Sequence, residues 1–221
     1  MQQKNRKFVF VLVMSEISVR LYQFDRTGLQ QFPKFNYHKN PLDFLSLLIG
    51  LTAADDEACG FDTSIVWKGL YRYMRSINEK KAPFEYKLDR VIPSQDFTGM
   101  GMFWWLAKDV RGTSLIIEET WRFADQQLVV ELLDLIRGVD GVGQVLACEE
   151  SFNTSQFRGP GSASTSVRPR VRSRIVFKGY ENTLDKFKNR KEFLSGFRDA
   201  VAGTPYISAL FFAGNTDACS S

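Results

Sequence analysis

The alternation of apolar and polar residues predicts that the chain begins with an antiparallel hairpin. Residues 8–14 form a continuous apolar run, FVFVLVM, which is typical of a strand buried on both faces. After a polar break at Ser15 and Glu16, residues 17–24 alternate as a strand with one covered face does. The segment DRTG follows, and Gly28 can supply the positive φ that closes a second turn.

Three later segments carry the spacing of amphipathic helices. The first begins at Asn40, which predicts an N-cap, and Pro41 takes the first helical position before leucines at helical intervals. The second covers residues 124–137 and the third covers residues 189–203. Between the first two helices, residues 61–90 predict short strands joined by a charged turn.

A glycine-pivoted turn and two strands are predicted for residues 97–121, which read FTGMGMFWWLAKDVRGTSLIIEETW. Nucleotide-binding enzymes use such hairpins to cover phosphates, but the second strand carries two adjacent glutamates. Further strands are predicted around residues 144–150 and 171–180. Strands interrupted by helices place the chain in the α+β class.

Composition predicts a folded intracellular protein. The 221 residues are 44% hydrophobic and 14% aromatic, which suits one large domain or two small ones with a substantial core. Three scattered cysteines and a single histidine make a metal site improbable. The first apolar run is too short to span a membrane and no cleavage site follows, so we expect a cytoplasmic or nuclear location.

Residues 154–173 are rich in serine, glycine and arginine and predict a flexible loop. The net charge of +4 alone does not imply nucleic acid, but no acidic residue stands between Glu150 and Glu181. One interpretation is therefore a basic patch for nucleic acid or an acidic partner, and the other is a solvated insertion. Nucleic acid is disfavoured because interleaved aromatic residues are missing. The patch comprises Arg158, Arg168, Arg170, Arg172, Arg174 and Lys178.

Several words in a characteristic order resemble the fungal-type protein kinase family, namely RKFVFVLVMSEISVRLYQFDRTG, GFDTSIVW, IIEETW and RDAVAG. The resemblance runs from about Arg6 to Gly203. It implies a strand-rich region over residues 1–90, followed over residues 91–203 by a kinase-like amino lobe of an antiparallel sheet plus a helix. The activity it implies is ATP-dependent phosphorylation of protein hydroxyls, with ATP and Mg²⁺ as cofactors.

The resemblance also assigns positions to a nucleotide site. Gly99 and Gly101 match the glycine turn that covers the phosphates, and Glu131 matches the helix glutamate that orients the strand lysine. Glu118 stands where the family typically has that lysine, in a strand like V-I-K-D-S-W. Two unit charges about 4 Å apart interact by about 4 kcal/mol at an effective dielectric near 20, so this inversion opposes ATP binding. Lys108, on the preceding strand, is another cation that could reach inward.

The catalytic parts of the family are not recognisable in these residues. No segment resembles the H-R-D or D-F-G motif, so we expect no catalytic and no metal-binding residue. Residues 204–221 do not resemble the family and predict an unanchored tail, with the carboxy lobe largely missing. We therefore expect an inactive, truncated kinase that binds no ATP, or alternatively an interaction module that binds a protein through an exposed lobe face.

Overall fold

The computed structural model describes residues 5–52, 55–77, 83–93, 101–126, 138–139, 142–158, 168–179, 187–199 and 201–202 of the chain. Within these residues, strands predominate and form two antiparallel sheets, accompanied by two α-helices and a short 3₁₀ helix. The α+β class is thus confirmed. The predicted helix at 124–137 lies outside the described residues from position 127 onward.

The first sheet has three strands in chain order and confirms the predicted opening hairpin. Strand β1 (Phe8–Met14) pairs antiparallel with β2 (Val19–Asp25), and β2 pairs with β3 (Gly28–Gln31). Gly28 has a φ of 123°, as the predicted turn requires. The continuous apolar run is not buried on both faces, however, because Val13 remains 51% exposed.

Helix α1 (Pro41–Thr52) begins at the predicted proline. Its apolar stripe does not enter a core, because Leu42 is 75% and Ile49 is 69% exposed and no residue of the helix is buried. A second helix, α2, is described over residues 190–199, within the predicted third helix. The helical spacing therefore predicted the elements correctly but not their packing.

The second sheet has seven antiparallel strands in the order β4-β5-β6-β7-β8-β10-β9. The predicted boundary near residue 90 falls inside β6, and one continuous ladder joins residues on both sides of it. The sheets instead divide between β3 and β4. The strands are β4 (Ile65–Lys68), β5 (Tyr71–Ile77), β6 (Pro83–Pro93), β7 (Phe103–Lys108), β8 (Ser114–Phe123), β9 (Val145–Asn153) and β10 (Arg170–Lys178).

The hydrophobic core lies on the inner face of the second sheet. Met74, Trp105 and Ile117 have no exposed surface, and they come from three different strands. Successive strand residues point to opposite faces, so the outer face carries the intervening residues. Other members of this cluster are Ile65, Tyr86, Leu88, Phe103, Ala107, Leu115, Ala147 and Val176.

The predicted flexible loop at 154–173 is ordered at both of its described ends. Residues Thr154–Phe157 form a 3₁₀ helix capped by Asn153, whose side chain accepts a hydrogen bond from the Ser155 amide. Strand β10 already begins at Arg170, while residues 159–167 lie outside the described part. The composition of this segment misled the prediction because its arginines have buried partners.

Polar contacts join the two sheets. Arg158 follows the 3₁₀ helix and donates from Nε and Nη2 to the Asp25 carboxylate at the end of β2, both at 2.8 Å. The Asp25 side chain has no exposed surface and that of Arg158 is 10% exposed. Gln23 of β2 also donates to the Phe157 carbonyl at 3.1 Å. Since these partners are more than a hundred residues apart, the contacts fix the first sheet against the second.

Candidate nucleotide site and a buried ionic cluster

Gly101 lies in the glycine turn that precedes β7, and its φ is +57°. A Cβ at this position would lie 2.6 Å from Nη1 of Arg26, which projects from the β2–β3 turn. The turn therefore admits only a glycine at this approach. Gly99, the other glycine predicted to cover phosphates, lies outside the described residues, as does Glu131.

Glu118 occupies the middle of β8 and is half-buried on the outer face of the sheet. Its carboxylate accepts a hydrogen bond from the indole Nε1 of Trp104, its cross-strand neighbour, at 2.9 Å. Within the described part of the chain, no cation forms a salt bridge with Glu118. Lys108 is exposed at the other end of β7 from Trp104, so it does not replace the missing lysine beside Glu118.

The next residue, Glu119, points to the inner face and is 1% exposed. It accepts a hydrogen bond from Arg174 Nε at 2.8 Å and one from Trp105 Nε1 at 3.4 Å. The sequence analysis missed this role. The signal was the alternation of β8, which places Glu119 between Ile117 and Trp121 on the apolar face.

Arg174 of β10 is fully buried at the centre of an ionic cluster. Besides Glu119, it donates to Glu149 at 2.6 Å and lies 3.3 Å from Asp62. Burial alone would lower the pKa of Arg174, but the three carboxylates outweigh it and raise that pKa. With Arg172, which bonds to Asp62, these residues form what we call the ionic cluster: Asp62, Glu119, Glu149, Arg172 and Arg174.

Asp62 anchors the segment before β4 to this cluster, with a side chain only 1% exposed. Burial opposes its charged form, but Arg172 and Arg174 outweigh burial and hold the pKa of Asp62 below its ordinary value. At Asp25, burial is likewise outweighed by hydrogen bonds from Arg158 and Thr27, which lower the pKa of that carboxyl. Both groups therefore favour the folded state when they are charged.

We expect acid to remove this contribution. Because the pKa of Asp62 is lower in the folded than in the unfolded chain, its stabilisation is present above about pH 4 and is lost as pH falls through the folded-state pKa. Urea denaturation at about pH 6 and about pH 3 should show a smaller acid-induced loss of unfolding free energy for Asp62→Asn than for the native chain. Exposed Asp43→Asn is the control. Equal losses in the native chain and Asp62→Asn would contradict the linkage.

The model of the family described as Fungal protein kinase matches residues 1–158. The chain belongs to the fungal protein kinase family. No curated protein matches it. The match includes the glycine turn, Glu118 and Glu119, so the kinase relationship covers the candidate nucleotide site; β10, with both arginines of the ionic cluster, follows the matched residues.

In this fungal protein kinase, the predicted basic patch is not one surface. Arg172 and Arg174 are buried in the ionic cluster, and Arg158 is paired with Asp25. Arg168 and Lys178 are exposed, but Arg168 bonds to Asp125 at 2.7 Å. The remaining member, Arg170, donates to the Trp121 carbonyl at 3.0 Å. The patch is dispersed because alternate residues of β10 point inward, where carboxylates on other strands neutralise them.

The described part of this fungal protein kinase contains no group of three or more histidine, cysteine, aspartate or glutamate side chains arranged to hold a metal ion. Across the same residues, no helix is long and apolar enough to cross a membrane. The two described cysteines, Cys59 and Cys148, are free thiols.

Proposed function

We propose that this fungal protein kinase family member is a non-catalytic, kinase-like module that acts by binding a partner rather than by transferring phosphate from ATP. The observation that carries the proposal is Glu118. A carboxylate stands where the family has a lysine, and it is already bonded to Trp104. A phosphate placed there would meet repulsion instead of attraction.

The order of elements supports the kinase-lobe part of this proposal. Strands β6, β7 and β8 are consecutive and adjacent, and Gly101 lies in the turn between the first two. Residues 127–137, with helical spacing in the sequence, then precede β9 and β10. Three strands, a helix and two strands is the order expected of a kinase amino lobe.

The inner face of the same sheet supports the non-catalytic part. The ionic cluster binds its carboxylates and guanidinium groups to one another and to Ser64, Ser76 and Trp105. A network with this many internal partners fixes the sheet without a ligand. The charged residues of β8 and β10 thus stabilise the lobe, a role that requires no nucleotide.

A second candidate function is residual phosphate binding through Arg26. Its guanidinium lies against Gly101, and neither a hydrogen bond nor a salt bridge to a described residue engages it. Burial, together with nearby Arg170, lowers the pKa of Arg26. An anion between the two cations would relieve their repulsion, so Arg26 could supply the charge that Glu118 has removed.

Thermal unfolding with ATP–Mg²⁺ distinguishes these candidates. A ligand at a hundred times its Kd stabilises by about 2.7 kcal/mol, which would raise the Tm by about 5–10 °C in a chain of this size. We expect no rise for the native chain. Glu118→Lys should bind more tightly than the matched Glu118→Gln, because only lysine restores the attraction. A saturable rise in the native chain that Arg26→Gln abolishes would refute the proposal and establish the second candidate.

A further inference from the structure

The outer face of the second sheet carries a row of tyrosines and lysines. Tyr73, Lys87 and Lys108 occupy directly paired positions on β5, β6 and β7. Tyr71 lies two positions along β5 on the same face. These four residues define what we call the tyrosine–lysine face, and Met74, Leu88 and Ala107 lie beneath it in the core.

The two lysines of this face have no compensating charge. Lys87 and Lys108 are direct cross-strand partners, and neither forms a salt bridge with a described carboxylate. Nearby Lys68, by contrast, bonds to Glu85 at 2.7 Å. Like charges directly opposite each other destabilise a sheet, so the pair has a physical cost that an anionic ligand would offset.

The tyrosines add flat apolar surface beside these charges. The Lys87 ammonium lies 3.4 Å from the centroid of the Tyr71 ring, and Tyr71 is 52% exposed. The ammonium of Lys68 lies 5.2 Å from the ring of half-buried Tyr73. The face therefore places exposed aromatic carbon next to uncompensated positive charge.

We propose that the tyrosine–lysine face binds single-stranded nucleic acid. Lys87 and Lys108 would bind phosphates of the backbone, while Tyr71 and Tyr73 would offer ring surface to unpaired bases. A duplex would leave the rings unused because its bases are stacked on each other, and an acidic peptide has no bases to stack. This site is distinct from the candidate nucleotide site and from the dispersed arginines of β10.

Fluorescence anisotropy with labelled oligothymidylate of about 15 nucleotides tests this site at about 50 mM salt. We expect saturable binding by the native chain. The double variant Lys87→Gln/Lys108→Gln should weaken binding at least about tenfold and reduce the slope of log K against log salt by about 1.4, since each single-strand phosphate contact contributes about 0.7. Tyr71→Leu should weaken binding by roughly tenfold with an unchanged slope.

The matched control is Lys34→Gln/Lys39→Gln, which removes the same charge from two exposed lysines elsewhere. It should change the Kd less than about twofold. The Tm of Lys87→Gln/Lys108→Gln should not fall, because the substitutions remove a repulsion. The proposal is wrong if the native chain does not bind, if the control weakens binding equally, or if polyglutamate or duplex DNA competes as well as unlabelled oligothymidylate.

Discussion

Replacing Arg174 by methionine is expected to lower the free energy of unfolding by about 3–5 kcal/mol, the range for breaking one partner of a buried ion pair. Arg174 has no exposed surface and bonds to Glu119 and Glu149 on two neighbouring strands. Without its guanidinium these carboxylates stay away from water with too few partners. Urea denaturation monitored by tryptophan fluorescence measures the loss.

Two variants show whether the cost comes from the buried charges. The double variant Glu119→Gln/Arg174→Met should be more stable than Arg174→Met alone, because it removes an orphaned carboxylate together with its partner. Arg168→Met breaks the exposed pair with Asp125 and should have a much smaller effect. If Arg174→Met were no more destabilising than Arg168→Met, the ionic cluster would not stabilise the fold.

Trp105→Ala is expected to lower the free energy of unfolding by about 3–5 kcal/mol through loss of a large buried ring. Trp105 has no exposed surface and packs edge-on against Phe103, with ring centroids 5.9 Å apart. Its indole Nε1 also donates to Glu119, so the substitution removes packing and a partner of the ionic cluster together. Thermal and urea unfolding should both detect the change.

Trp105→Phe separates these two contributions because it keeps an aromatic ring but removes the donor. We expect it to be clearly more stable than Trp105→Ala. The control is Trp67→Ala, since Trp67 is a tryptophan of the same sheet with 64% of its surface exposed. A Trp67→Ala variant that loses as much stability as Trp105→Ala would place the core of this sheet elsewhere.

Strand β8 combines a substitution at the candidate nucleotide site with a structural charge. Glu118 faces outward to Trp104, and Glu119 faces inward to Arg174. The two glutamates are adjacent in sequence, yet their environments differ because successive strand residues point to opposite faces. Variants of Glu118 should therefore report on ligand binding, whereas variants of Glu119 should report mainly on stability.

The elements were more predictable than their surroundings. Period-two alternation located β1, β2 and β8, and helical spacing located α1. The same patterns failed to show that Leu42 of α1 stays exposed, since periodicity records which residues share a face but not what covers it. The composition of residues 154–173 also failed, because a buried arginine and a solvated one look alike without their partners.

The sequence by itself determined the opening hairpin, the glycine turn, the family and the replacement of a lysine by Glu118. These features depend on residues near one another in the chain, where local backbone preferences and motif spacing are legible. Only the tertiary structure decided that Arg174 meets Glu119, 55 residues away, and that Arg172 meets Asp62, 110 residues away. It also decided that Lys87 faces Lys108 across a strand pair. Such contacts depend on strand order and register, which bring distant residues together and which no local pattern specifies.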